Sequence, residues 1–302
     1  MWFLYHPTNL VKAVVFLIVL GATFAGASGA SRLDLPQTSP VFVGAGDVAS
    51  CYDDNDEATA RLLDGIEGTV FTLGDNSYDH GSPEEFASCY APTWGRHLAR
   101  TRPVPGNHDY LTPGARGYFD YLGDRAGDPA RGYYSFDLGA WHVVALNTNC
   151  AEVGGCGEGS AQLAWLRADL AANPARCALA YGHHPLFSSG GHDADSDVAP
   201  LWNALYEAGV DVVLAGHDHT YERFAPQDPA GAQDPDGGVR QFVVGTGGAG
   251  LYAFEEIRPN SEARDSGTHG VLAFTLDPRG YAWEFVTVEG PDFSDSGSAA
   301  CH

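Results

Sequence analysis

The chain has 302 residues, 44% of them hydrophobic and 12% aromatic, enough to bury a substantial core in one large domain or two small ones. Its formal charge is -23 and Lys12 is its only lysine, so nucleic-acid binding through a basic face is excluded. A small phosphorylated substrate would need local cations to offset that field, and metal ions would serve.

Lys12 precedes the apolar run Ala13–Leu20, and small residues follow as far as Ala30. A lightly basic start, a short apolar centre and small residues near Ala27 or Ala30 read as an export signal. The competing reading is an uncleaved anchor, since the stretch from Val11 to Ala30 is marginally long enough to span a bilayer. Residues 1–30 are therefore expected to be a signal peptide or N-terminal anchor, 31–39 a short linker and 40–302 a single domain, with no other membrane segment. Six cysteines in an exported chain predict disulfides. Cys150 and Cys156 enclose a Gly-rich loop and form the best local pair, while Cys51, Cys89, Cys177 and Cys301 can join in three ways. No Cys-x-x-Cys spacing supports a thiolate metal site.

After the leader, Pro40–Ala45 reads as a buried strand, Asp56–Leu63 as a short helix capped by Asp56, and Thr69–Leu73 as a second strand. Pro83-Glu84-Glu85 begins a helix whose acids suit the positive end of its dipole. Tyr133–Phe136 and Trp141–Leu146 form an antiparallel hairpin. Ser160–Ala172 is an amphipathic helix with Leu163, Leu166 and Leu170 on one face. Cys177–Tyr181 is a strand, Val198–Ala208 a helix and Val210–Ala215 a strand. Pro226–Gly238 is a polar loop, beyond which "QFVVGTGG", "GVLAFTL" and "YAWEFVTV" are β-rich. The order predicts an α/β domain with two stacked sheets and helices outside.

Five polar clusters each follow an apolar, strand-like run: Gly46-Asp47, Gly74-Asp75, Gly106-Asn107-His108-Asp109, Gly182-His183-His184 and Gly216-His217-Asp218-His219. Ligands gather beyond the carboxyl ends of strands in open α/β sheets, so the five tips are expected to converge. Glycine before each polar residue permits a sharp turn. Singly, each cluster has a plain explanation. Asp47 caps a turn, Asn107 braces a loop, His183 is a satisfied core histidine, and His217 and His219 share one side of a strand as a surface pair. Five coincidences of the same form weigh against five unrelated turns. Carboxylates, imidazoles and an amide, without thiolates, suit two borderline or hard cations that clamp a phosphoryl group. Gly245-Thr246-Gly247-Gly248 lacks the lysine and helix of a nucleotide loop and is expected to bring backbone close to the metal pocket.

The series Asp47, "GDNSY", "GNHD", "GHHP" and "GHDH", with "PGNHDY" and "GHDHTYERF", resembles the calcineurin-like metallophosphoesterases and, within them, the secreted purple acid phosphatase-like branch. The similarity runs from about Val41 to at least Phe224. It implies a four-layer α/β/β/α sandwich of two mixed β-sheets flanked by helices. Plant-type members carry an additional β-sandwich, and the few residues between the leader and Val41 lead us to expect that it is missing. Arginine greatly outnumbers lysine, and alanine and glycine are abundant, a composition compatible with a bacterial protein from a GC-rich genome.

The resemblance implies that Asp47, Tyr78 and His219 hold a first metal, that Asp75 bridges both, and that Asn107, His183 and His217 hold the second. Fe3+ is implied at the Tyr78 site, and Fe2+, Zn2+ or Mn2+ at the other. His108 matches the histidine beside the substrate, and His192 the one that protonates the leaving alkoxide, unless Asp193 or His184 meets the substrate instead. His80, His97, His142, His269 and His302 match no site position. The implied function is a secreted phosphomonoesterase in which a metal-held hydroxide attacks phosphorus in line. A phosphodiesterase or nucleotidase on the same centre is one alternative, and a binding protein that keeps the fold is another.

Overall fold

Thirteen strands form among the residues described by the computed structural model, which are 39–192, 196–288 and 293–302. In chain order they are β1 (Val41–Ala45), β2 (Thr69–Leu73), β3 (Thr101–Val104), β4 (Tyr134–Leu138), β5 (Trp141–Ala145), β6 (Cys177–Tyr181) and β7 (Val212–Ala215). There follow β8 (Tyr221–Phe224), β9 (Arg240–Val244), β10 (Ser261–Asp265), β11 (Gly270–Asp277), β12 (Gly280–Thr287) and β13 (Ser296–Ala300). The expected leader or anchor and all of the expected linker but Ser39 lie outside the described residues, as does Asp193.

The strands make two mixed sheets, ordered β13-β12-β11-β1-β2-β3 and β10-β8-β9-β7-β6-β5-β4. β1, β2 and β3 run parallel, as do β5, β6, β7 and β9, and antiparallel strands complete each sheet. Strands such as "CALAY" are buried on both faces, which is why they read as continuous apolar runs rather than alternating ones. Alternate residues nevertheless divide between two cores. Val143, Leu179, Tyr181, Val212, Leu214 and Phe242 meet Phe42, Phe71 and Phe274 of the other sheet. The Phe42 ring lies 5.6 Å from Tyr181, and Phe242 lies 5.3 Å from Phe274, so the sheets pack face to face. Val144, Ala178, Ala180 and Val213 turn outward under helices Ala161–Ala172 and Ala199–Glu207.

Helix boundaries follow their caps. Ser160 accepts from the backbone N–H of Leu163, so it precedes its helix rather than joining it. Ser82 and Glu85 form a reciprocal capping box at Pro83. The predicted cap at Asp56 is incorrect: the helix is Asn55–Asp64, and Asp56 lies inside it, buried, accepting from the Thr93 hydroxyl at 2.8 Å. Burial lifts its pKa to about 6. β8, β10 and β13 were not apparent from periodicity. β13 (Ser-Gly-Ser-Ala-Ala) has little apolar character and forms because β12 offers a free edge and Cys301 is tied to Cys177.

The other disulfides are Cys51–Cys89 and the expected Cys150–Cys156. The Cys177–Cys301 link closes a span of 124 residues. On the chain-entropy account that restricts the unfolded state by about 5 kcal/mol.

Asp295 secures the same end of the chain. It accepts from Tyr221 Oη at 2.6 Å, Arg223 Nε at 2.7 Å and Trp283 Nε1 at 3.1 Å. Burial opposes its charge, but these donors outweigh burial and lower its pKa. A depressed carboxylate contributes stability that is complete above its unfolded pKa of about 3.9 and is lost as pH falls through the folded value. Asp295→Ala is therefore expected to cost about 1–3 kcal/mol at neutral pH, since it leaves the Tyr221 hydroxyl and the Trp283 indole N–H without an acceptor, while Arg223 keeps Glu262. The penalty should shrink at acid pH. Thermal unfolding at both pH values checks this, and an equal loss at each would assign the effect to packing instead.

Candidate metal centre

Parallel strands aim their carboxyl ends the same way, and each motif lies just beyond such an end. Asp47 follows β1, Asp75 follows β2, Asn107 follows β3, His183 follows β6, and His217 and His219 follow β7. The turns do not work as glycine-first sequences suggest. Among the residues that precede the motifs only Gly74 uses a positive φ, +87°. The left-handed conformation falls instead on Asp47 (φ 59°), Asp75 (φ 48°) and His217 (φ 71°). Such backbone costs of order 1–3 kcal/mol per residue and persists only where surrounding bonds enforce it. Here they do: Asp47 N donates to Gly74 O at 3.0 Å, Val48 N to Asp75 O at 2.9 Å, and His217 N to Asp47 Oδ2 at 2.9 Å. His217 and His219 belong to this loop, not to a strand, so strand alternation does not orient them.

The structure brings all seven expected ligand side chains together in two clusters that share one oxygen. The Tyr78 hydroxyl lies 2.9 Å from Asp47 Oδ1, 3.0 Å from Asp75 Oδ2 and 3.1 Å from His219 Nε2. His183 Nε2 lies 2.9 Å from Asn107 Oδ1, 3.2 Å from His217 Nδ1 and 3.4 Å from the same Asp75 Oδ2. The opposite ring nitrogens are tied to carbonyls, which can only accept: His183 Nδ1 to Leu73 O at 2.7 Å and His219 Nδ1 to Gly250 O at 2.8 Å. Both rings thus turn Nε2 inward.

Each cluster gathers three acceptor atoms about one titratable proton. Burial, then Asp47 and Asp75, push the Tyr78 phenol well above its usual pKa. Burial resists protonation of His183, but Asp75 outweighs it and lifts the imidazole to about 9. Burial likewise opposes the Asp75 charge, and His183 beside it brings that carboxyl well below its ordinary value. His217 is held neutral, at about 2, by burial and by His183 and His184. So many lone pairs in a buried space are what multivalent cations satisfy, and oxygen and imidazole donors without thiolate match hard or borderline ions.

Other residues lock the motif loops. Asn76 donates to Val104 O at 3.0 Å and to Asp109 Oδ2 at 2.9 Å, and Asp109 also accepts from Gly106 N at 2.8 Å. Burial, then Asp75, raises Asp109 to about 7. The backbone N–H of His108 donates to Asp75 Oδ1 at 2.8 Å, leaving Oδ2 as the shared atom. His108 Nδ1 donates to Asp79 O at 2.6 Å, so Nε2 is the free end of a ring 4.6 Å from Tyr78. His192 is exposed, its ring 4.5 Å from that of His217 and its backbone N–H on Asp218 Oδ1 at 3.0 Å.

Three residues at the site were not anticipated in a role: Thr148, Asp218 and Tyr252. Thr148 Oγ1 accepts from the N–H groups of His183 and His184 at 3.1 and 2.9 Å, so its own proton goes to His184 Nδ1, 2.9 Å away. That assigns the His184 proton to Nε2. Tyr252 packs its ring 4.9 Å from His219 and donates to His217 O at 3.1 Å. Thr148 and Tyr252 are isolated loop residues with no local signal, whereas Asp218 lies within the GHDH motif. The Gly245 run does approach closely: a Cβ at Gly245 would lie 2.8 Å from Asp47 Oδ2. His97, His142, His269 and His302 bond elsewhere, to Ala60 O, Asp169, Ala249 O and Asp211, and His80 is exposed.

Two packed mixed sheets flanked by helices, with carboxylates and imidazoles converging at parallel strand tips, are the metallophosphoesterase fold. The calcineurin-like phosphoesterase model matches residues 41–221. Purple acid phosphatase 21 of Arabidopsis thaliana is 31% identical over 83% of this chain and 60% of its own length. The purple acid phosphatase PPD1 from yellow lupin superposes with a TM-score of 0.70 at 20% identity, over 87% of this chain and 54% of that one. GAP50, the anchor in the inner membrane complex of Plasmodium, shares the fold with a TM-score of 0.68 at 14% identity, over 88% and 90% of the two chains. The chain belongs to the calcineurin-like phosphoesterase family, in its purple acid phosphatase-like branch. It spans 60% or less of the length of the first curated relatives it matches.

Proposed function

We propose that the protein is an exported, dinuclear-metal phosphomonoesterase acting on small phosphorylated substrates. The observation that carries this reading is the pair of acceptor clusters meeting at Asp75 Oδ2, one about Tyr78 and one about His183. Asp47, Asp75, Tyr78 and His219 would hold one cation, and Asp75, Asn107, His183 and His217 the other. Two cations there would polarise phosphoryl oxygens and acidify water near neutral pH. His108, with Nδ1 fixed on Asp79 O, would donate from Nε2 to a phosphoryl oxygen as the doubly protonated imidazolium. His192, stacked on His217 and open to solvent, offers a proton to the departing alkoxide. Export is supported by three disulfides, which persist in oxidising compartments.

A phenol between two buried carboxylates ionises only beside a strongly charged cation, which favours Fe3+ at the Tyr78 cluster and Fe2+, Zn2+ or Mn2+ at the other. The purified protein is expected to contain two metals per chain, to hydrolyse p-nitrophenyl phosphate and to lose that activity to a strong chelator. It should be coloured, with a broad visible band that disappears in Tyr78→Phe. An iron-loaded but colourless protein would remove Tyr78 from the ligand set. Metal content near zero would instead favour a binding role on this fold, the role of GAP50 as an anchor in the inner membrane complex of Plasmodium being a parallel.

A further inference from the structure

A cavity of about 320 Å³ adjoins the cluster and includes Asn107, one of the proposed ligands, in its wall. Tyr110, Leu111, Glu152, His184 and Asp197 line it as well. An ester whose phosphorus lies at the Asp75 cluster has this space open to its alcohol group. The proposed proton donor is close by, since the His217 ring lies 4.5 Å from both His184 and His192.

The walls are built, not incidental. The Cys150–Cys156 disulfide closes the loop that carries Glu152, and Gly155 N donates to Cys150 O across it at 2.8 Å. Asn149 Nδ2 ties that loop to Pro105 O at 3.0 Å, next to the Asn107 turn. Asn147 Nδ2 donates to Tyr110 Oη at 2.8 Å and fixes the aromatic wall. Leu111 beside it is 56% exposed, one of few large apolar side chains left so open.

The chemistry of the lining is one-sided. It presents the Glu152 carboxylate, the Tyr110 ring and the Leu111 side chain. His184 contributes a neutral Nε2–H donor, because Thr148 gives its proton to Nδ1. Among the described residues none of those lining the cavity is a lysine or arginine. At the outer wall a carboxylate or second phosphate on the alcohol would face the like charge of Glu152, whereas an ammonium would meet that carboxylate and an aromatic ring.

Resting on the phosphomonoesterase reading above, we propose that this cavity receives the alcohol moiety of the ester and selects one that carries a positive charge: an amino- or ammonium-alcohol phosphate in preference to a neutral or anionic one.

The test compares kcat/KM of the metal-loaded enzyme for phosphocholine, glycerol 3-phosphate and 3-phosphoglycerate, with p-nitrophenyl phosphate as reference. The expected order is phosphocholine, then glycerol 3-phosphate, then 3-phosphoglycerate, with about tenfold between the first and last at low salt and less at high salt. Glu152→Gln should lower the phosphocholine to 3-phosphoglycerate ratio severalfold, and Glu152→Lys should reverse it, a response that a purely structural role for Glu152 does not predict. Hydrolysis of p-nitrophenyl phosphate with a flat or inverted order, or a ratio that both variants leave unchanged, overturns this inference alone. Hydrolysis of none of the four esters overturns the phosphomonoesterase reading and this inference with it.

Discussion

Asp75→Ala is expected to reduce turnover of a phosphomonoester by at least about a thousandfold, roughly 4 kcal/mol of barrier. The reason is that one atom serves both clusters: Asp75 Oδ2 is 3.0 Å from the Tyr78 hydroxyl and 3.4 Å from His183 Nε2. Its other oxygen holds the backbone of His108. Removing the carboxylate takes a donor from each proposed cation site and frees the loop that carries Asn107. Metal analysis of the purified variant should fall from two ions per chain to one or fewer. Retention of both metals with more than a tenth of the activity would refute the bridging role.

Gly106→Ala should approach the same loss although it replaces none of the proposed ligands. A Cβ at residue 106 would lie 2.1 Å from Asp75 Oδ1 and 2.2 Å from Asp75 N, closer than any non-bonded carbon tolerates. Backbone must move on one side or the other, at a cost of about 1–3 kcal/mol in stability. The movement displaces Asp75 or the Gly106–Asp109 turn. Gly267→Ala is the control, since a Cβ there meets nothing within 4 Å. The prediction fails if Gly106→Ala binds both metals and matches the control in unfolding temperature and kcat.

The strands that place the site were legible because they are buried on both faces and therefore read as unbroken apolar runs, as in "TVFTL" and "CALAY". The motifs after them were legible because ligand chemistry restricts residue type: only carboxylate, imidazole, amide and phenol recur at those tips. Asp56 was misread because its caplike composition suits a helix start, whereas its surroundings bury it inside the helix against Thr93. β13 and the pairing of Cys177 with Cys301 had no local signature, because a free sheet edge and a contact across 124 residues arise only after the chain has closed on itself.

Composition, periodicity and motif order were enough to specify an acidic α/β chain of two stacked sheets with its chemistry at the strand tips. The resemblance of that motif series to the calcineurin-like phosphoesterases named the side chains that meet there, since motif residues and their order are properties of the chain alone. Three-dimensional packing settled which oxygen of Asp75 faces both clusters, which ring nitrogens of His183 and His219 turn inward, and that strain falls on Asp47, Asp75 and His217 rather than on their glycines. It also set Thr148, Tyr252 and the Glu152 loop around the centre. Orientation and neighbourhood depend on contacts between distant segments, and those are made only by the folded protein.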